Sequence, residues 1–150
     1  MRTLRFTEAI NRKNWLLEKI SFKDFRIKTP FEWLIDYNNS STYVEIKEWF
    51  VTNFWSIPSL LRAFFNPTKY IGYILHDYLY WINWKIYSDD GWVNTVYYTR
   101  RDADIILREA IKVEQKKYKN YKILYPILLI ERWLIYVWVR VWGWLKYKKD

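Results

Sequence analysis

The hydrophobic period of this chain changes near residue 52, and that change constrains its fold more than any other feature. Before it, Phe25-Arg26-Ile27-Lys28 and Tyr43-Val44-Glu45-Ile46-Lys47 alternate apolar and polar side chains, as half-buried strands do. Thr29-Pro30 punctuates the first run, and Asn38-Asn39-Ser40-Ser41 is a cluster of turn formers. Residues 25–51 therefore predict two or three antiparallel strands with a hairpin turning at 38–41. Beyond residue 52 the apolar spacing becomes three and four. Strands followed by a run of helices give an α+β class. The expected architecture is a single domain with a small antiparallel sheet packed by three or four helices.

The helical part divides at recognisable stops. Asn66-Pro67 suits a helix start, with Ile71, Ile74, Leu75, Tyr78, Leu79 and Ile82 as the apolar face of a helix running to about Lys85. Ser88-Asp89-Asp90-Gly91 reads as a loop and Trp92 to Tyr98 as a short strand. Thr99, with Asp102 three residues on, forms a capping box for the next helix. That helix turns Ala103, Ile106, Leu107, Ala110 and Val113 inward and ends near residues 116–119. A last helix spans about residues 125–146. Upstream of the strands, Thr7 to Lys19 reads as an amphipathic helix burying Ile10, Trp15, Leu16 and Leu17. It lacks the continuous apolar core of a secretory signal.

Composition removes whole classes of chemistry. The 150 residues include no Cys, so disulfides, Cys-ligated zinc and thiol catalysis are excluded. His76 is the single histidine, which rules out a His-His metal pair within one chain. Gly72, Gly91 and Gly143 lie too far apart for a phosphate-cradling loop, so no nucleotide cofactor is expected.

Charge and aromaticity point to partners. The net charge of +9 is uneven. Residues 1–30 carry 8 basic and 3 acidic groups, residues 31–99 carry 4 and 7, and residues 100–150 carry 13 and 6. Basic ends around an acidic middle suit an anionic surface, lipid or nucleic acid, although no nucleic-acid-binding signature accompanies them. Aromatic residues make up 22% of the chain, with 11 Trp and 14 Tyr, which serve a core or an interface. The last helix contains Glu131, Arg132 and Arg140. At the centre of a bilayer these cost roughly 7–10 kcal/mol, more than the aliphatic residues return. Spanning is disfavoured, and two readings stay open: packing on the domain, or lying at a membrane interface as a peripheral helix.

Three segments occur in a telling order. Thr52-Asn53-Phe54-Trp55-Ser56-Ile57-Pro58 is followed by His76-Asp77-Tyr78-Leu79-Tyr80 and then by Arg100-Arg101-Asp102-Ala103-Asp104. This order resembles the domain-of-unknown-function family 1353 of bacteriophages and prophages. Its pattern reads Thr-Asp-x-x-Ser-x-Pro, His-Asp-x-x-Tyr and Arg-x-x-Ala-Asp. Thr52, Ser56, Pro58, His76, Asp77, Tyr80, Arg100, Ala103 and Asp104 match, while Asn53 replaces the acidic residue after the threonine. The resemblance divides the chain into a basic N-terminal helix with the first strands, residues 1–42, and a family-like core with the C-terminal helix, residues 43–150. It implies a phage setting, with host cytoplasm or virion as the location and phage proteins as partners, and no proven reaction.

Function must then be argued from the matched residues. His76 and Tyr80 share one helix face, and Asp77 lies about 100° round from His76. One reading is a small phage hydrolase acting on the cell envelope. His76, Asp77 and Asp104 would hold a divalent metal ion, or His76 would act as base on a Ser56 nucleophile. The other reading is a structural or interaction protein. Here Arg100, Asp77 and His76 form a buried polar network tying two packed helices to the 52–58 loop, Asp104 stabilises a helix N-terminus through the dipole, Pro58 fixes the turn, and Thr52, Asn53 and Tyr80 hold supporting positions.

Overall fold

In the computed structural model, residues 4–5, 9, 16–21, 24–35, 42–54, 66, 68–82, 85–87, 95–97 and 99–146 are described. Among the described residues, six strands lie between residues 4 and 52: β1 (Leu4–Arg5), β2 (Leu17–Lys19), β3 (Phe25–Ile27), β4 (Phe31–Ile35), β5 (Thr42–Ile46) and β6 (Val51–Thr52). They divide into two small sheets, ordered β1-β4-β5 and β2-β3-β6. The chain passes between them at Pro30, where a strand ladder loses its donor. β4 and β5 are antiparallel, with Phe31 opposite Ile46 and Trp33 opposite Val44, so alternate residues bury one face. β1 adds to β4 in parallel. In β3, exposed Arg26 sits between half-buried Phe25 and buried Ile27, the period-two pattern read from the sequence.

Three helix boundaries differ from expectation. The helix expected over Thr7–Lys19 does not reach its predicted end, because Leu17–Lys19 is a strand antiparallel to β3. A paired main chain outweighs the helical preference of Leu-Glu-Lys there. Ala9 and Leu16 are buried, while Ile10, Trp15 and the expected turn at 38–41 lie outside the described residues. The helix expected from Asn66 begins instead at Gly72. Asn66 Oδ1 accepts bonds from the Thr68 backbone N–H at 3.0 Å and its hydroxyl at 2.8 Å, closing a local turn before the helix. That helix, α1 (Gly72–Trp81), also stops short of Lys85, which opens the hairpin strand β7 (Lys85–Tyr87) paired antiparallel with β8 (Thr95–Tyr97).

α2 (Arg100–Gln115) starts as the sequence requires. Thr99 Oγ1 accepts from the Asp102 N–H at 3.2 Å, and Asp102 Oδ2 accepts from the Thr99 N–H at 2.8 Å. A 3-10 turn (Lys116–Tyr118) leads into α3 (Leu124–Lys146), whose Pro126 lies in the first turn, where no N–H bond is lost. α1 runs antiparallel to α2, and α2 to α3. Gly72 meets Ala110 while His76 meets Asp104, and Gln115 meets Leu128 while Asp104 meets Arg140. Leu75, Leu79, Leu107 and Ile111 belong to the buried core that α1 and α2 share with the strands. No helix among the described residues is long and apolar enough to cross a membrane.

Candidate functional site

Asp104 is the centre of a buried polar cluster drawn from α1, α2 and α3. It sits in the first turns of α2, fully buried, four residues after Arg100. A carboxylate only accepts hydrogen bonds, so His76 Nε2, from α1, donates to Asp104 Oδ1 at 2.9 Å. The Tyr80 hydroxyl, one turn further along α1, donates to the same oxygen at 3.4 Å. Arg140 Nη1, from α3, donates to Oδ2 at 3.3 Å. The His76 and Tyr80 rings are tilted against each other at 4.6 Å. Arg100 reaches α3 from the outside, its Nη2 donating to the Arg140 carbonyl at 3.4 Å. Gly143 faces the same group: a Cβ there would stand 3.4 Å from both the Tyr80 hydroxyl and Arg100 Cδ, at ordinary contact distance.

The helix geometry sends the neighbouring carboxylate elsewhere. Asp77 Oδ2 accepts from the Thr52 hydroxyl at 2.5 Å, joining α1 to β6. The Thr52 oxygen also accepts from the Phe54 N–H at 3.3 Å. Phe54 itself adopts φ 54°, a left-handed conformation that a bulky side chain rarely takes, and its ring packs edge-on to Phe25 at 5.4 Å. Asn53 is half-buried between them, while Ser56 and Pro58 lie outside the described residues. Thus the three segments singled out in the sequence are bonded in series, Thr52 to Asp77 and His76 to Asp104. His76 and Asp104 meet directly and Asp77 bonds to the sheet side. Among the described residues no group of three His, Asp or Glu side chains is gathered as metal ligands. At 2% and 0% exposure, His76 and Asp104 do not meet solvent. The pair has the form of an imidazole oriented by a carboxylate, held within a packed helix seam.

A second polar cluster lies at the other end of the same helices. Glu114 Oε1 accepts from the Gly72 N–H at 2.9 Å, capping α1 from α2 where Ile71 offers no side-chain cap. Gln115 Nε2 donates to the Tyr70 hydroxyl at 3.0 Å and to the Leu128 carbonyl at 2.9 Å. Tyr70 in turn donates to Glu131 Oε2 at 2.8 Å, and Lys69 pairs with the same carboxylate. Sequence reasoning missed Arg140, Glu114, Gln115, Glu131 and Tyr70 as members of such clusters. A signal was present for Glu114, which falls in register with Ala103, Leu107 and Ala110 on the buried stripe of α2. Glu131 and Arg140 interrupt an otherwise apolar helix, which is where partnered charges are found.

This cluster gives the fold a pH limit. Burial, above all, pushes the Tyr73 hydroxyl well above its ordinary ionisation range, and Glu131, Tyr70 and Glu114 add to the shift. Burial likewise raises Tyr70, opposed by the Gln115 hydrogen bond and reinforced by Glu131. Both groups ionise near pH 10 once unfolded but stay protonated in the fold. Their contribution to stability is intact below about pH 10 and is lost as pH rises above it, at about 1.4 kcal/mol per pH unit for each tyrosine. The urea midpoint should therefore fall steeply between pH 10 and 11. A flat midpoint over that range would contradict the assignment.

No curated protein and no solved structure is significantly similar to the chain. The family described as Protein of unknown function (DUF1353) matches residues 25–127, starting in β3 and ending early in α3. The match begins earlier than the segments that first suggested it, so it takes in the strands β3 to β6 as well as α1 and α2. Matched over more than half of its length, the chain belongs to the DUF1353 family.

Proposed function

We propose that this chain is a bacteriophage-type accessory or virion-associated protein with a structural or interaction role, and that the His76–Asp104–Arg140 cluster holds its helices in register. The observation that carries this reading is the engagement of both Asp104 oxygens. Its two oxygens, buried in the helix seam, accept from His76, Tyr80 and Arg140, side chains of the two flanking helices. A substrate or metal ion would have to displace those partners. Filled buried networks specify a fold as effectively as sites serve chemistry.

The test is the denaturation midpoint of the wild type and of His76→Gln, each with and without zinc, manganese or magnesium. His76→Gln should lower stability by about 1–3 kcal/mol, the penalty for leaving a buried acceptor poorly satisfied, and no ion should raise the wild-type midpoint. A wild-type midpoint that rises with zinc or manganese, and fails to do so in His76→Gln, would overturn this reading in favour of a metal-dependent hydrolase at His76, Asp77 and Asp104. The neighbourhood of the reading frame offers an independent check. A virion-morphogenesis block supports the structural role, and a lysis cassette supports the hydrolase.

A further inference from the structure

α3 has two apolar faces, and the fold uses one of them. Leu128, Ile135, Val139 and Gly143 are buried toward the other helices. On the outer side stand Ile123, in the turn just before the helix, and Ile127, Ile130, Leu134 and Val141, which fall within about 60° of arc at 100° per residue. They are 83%, 57%, 60%, 44% and 51% exposed. Trp133 and Trp142 flank this stripe, 60% and 40% exposed. From Ile127 to Val141 the stripe runs about 21 Å along the helix at 1.5 Å per residue. Contiguous exposed apolar surface of this extent marks an interaction face.

Charge decides what covers it. Residues 116–149 contain nine basic side chains and one acid, Glu131, which is tied to Lys69. Lys116, Lys117, Lys119 and Lys122 are all exposed just before or at the approach to the helix. Lys146 closes it, and Lys148 and Lys149 follow in sequence. Both ends of the stripe are therefore basic. A second copy laid along it, parallel or antiparallel, would set basic end against basic end. An anionic lipid surface neutralises both ends at once. We propose that this face of α3 lies on an anionic phospholipid bilayer, its axis in the membrane plane. The Ile123–Val141 stripe is immersed among the acyl chains, Trp133 and Trp142 sit at headgroup depth, and the lysines contact lipid phosphates. The inference concerns a surface separate from the Asp104 cluster and stands independently of the role proposed for it.

The experiment is co-sedimentation of the full chain with phosphatidylcholine vesicles, with and without phosphatidylglycerol. The protein should sediment with the anionic vesicles, remain free of the neutral ones, and be released in large part by high salt. Ile123→Asp and Ile130→Asp change exposed positions, so their denaturation midpoints should match the wild type while vesicle binding falls at least about tenfold. Replacing Lys116, Lys117, Lys119 and Lys122 together by Gln should weaken binding on the order of a thousandfold. Failure to sediment with anionic vesicles at low salt would overturn the proposal. So would binding that ignores Ile130→Asp, which would indicate a polyanion contact of the lysines alone. A concentration-dependent dimer in analytical ultracentrifugation, abolished by Ile130→Asp without lipid, would overturn it in favour of a second copy.

Discussion

Asp104→Asn should lower the stability of this protein by about 3 kcal/mol, the lower part of the range for removing one partner of a buried ion pair. The substitution keeps the size of the side chain but removes the charge that faces Arg140 and the acceptor that holds His76 Nε2. His76 is 2% exposed and cannot turn to water. Arg140, with about a third of its side chain exposed, can, and this keeps the loss below the upper end. For a chain of this length the thermal midpoint should fall by roughly 10 °C. Asp77→Asn is the control. Asp77 is half-buried and its bond to Thr52 joins one helix to one strand, so about 1 kcal/mol is expected. Arg140→Gln in the Asp104→Asn background should recover part of the loss, because it removes the uncompensated charge. Additive effects of the two substitutions, measured by urea denaturation, would show that the carboxylate and guanidinium are not coupled.

Gly72→Val should be nearly as damaging, for a steric reason. A Cβ at Gly72 would stand 3.1 Å from Ala110 Cβ, 3.4 Å from Ile111 Cγ1 and 3.5 Å from the Ile111 backbone nitrogen. The nearest atoms are short side-chain stems and main chain, which cannot swing aside. Two further methyl groups force α1 and α2 apart at the point where Glu114 caps the Gly72 N–H. A loss of about 3 kcal/mol follows, the upper part of the usual range for overpacking. The displacement also carries His76 away from Asp104, so Gly72→Val and Asp104→Asn should be less than additive. Gly72→Ala, which adds only the Cβ, should cost about 1–2 kcal/mol. A Gly72→Val protein as stable as the wild type would show that the helices have room the geometry denies.

The sequence by itself determined the order of elements and much of their chemistry. Alternation in residues 25–51 produced strands because a pleated chain exposes every second side chain. Thr99 and Asp102 set the start of α2 through bonds that depend only on local backbone, and the structure contains both. His76 and Asp104 were legible as partners from their family-like segments. The tertiary structure decided what local rules cannot reach. Leu17–Lys19 became a strand because β3 offered it main-chain partners. α1 began at Gly72 because its first N–H finds Glu114, 42 residues away. Asp77, adjacent to His76 in sequence, went to Thr52 because successive residues on a helix diverge by about 100°. Arg140 joined the cluster only through the packing of α3 on α2, since its place in an apolar run shows that a charge needs a partner but not which one. Periodicity fixes which face of a helix is buried, whereas the identity of the groups that meet there depends on crossing and register, which arise only when the helices pack.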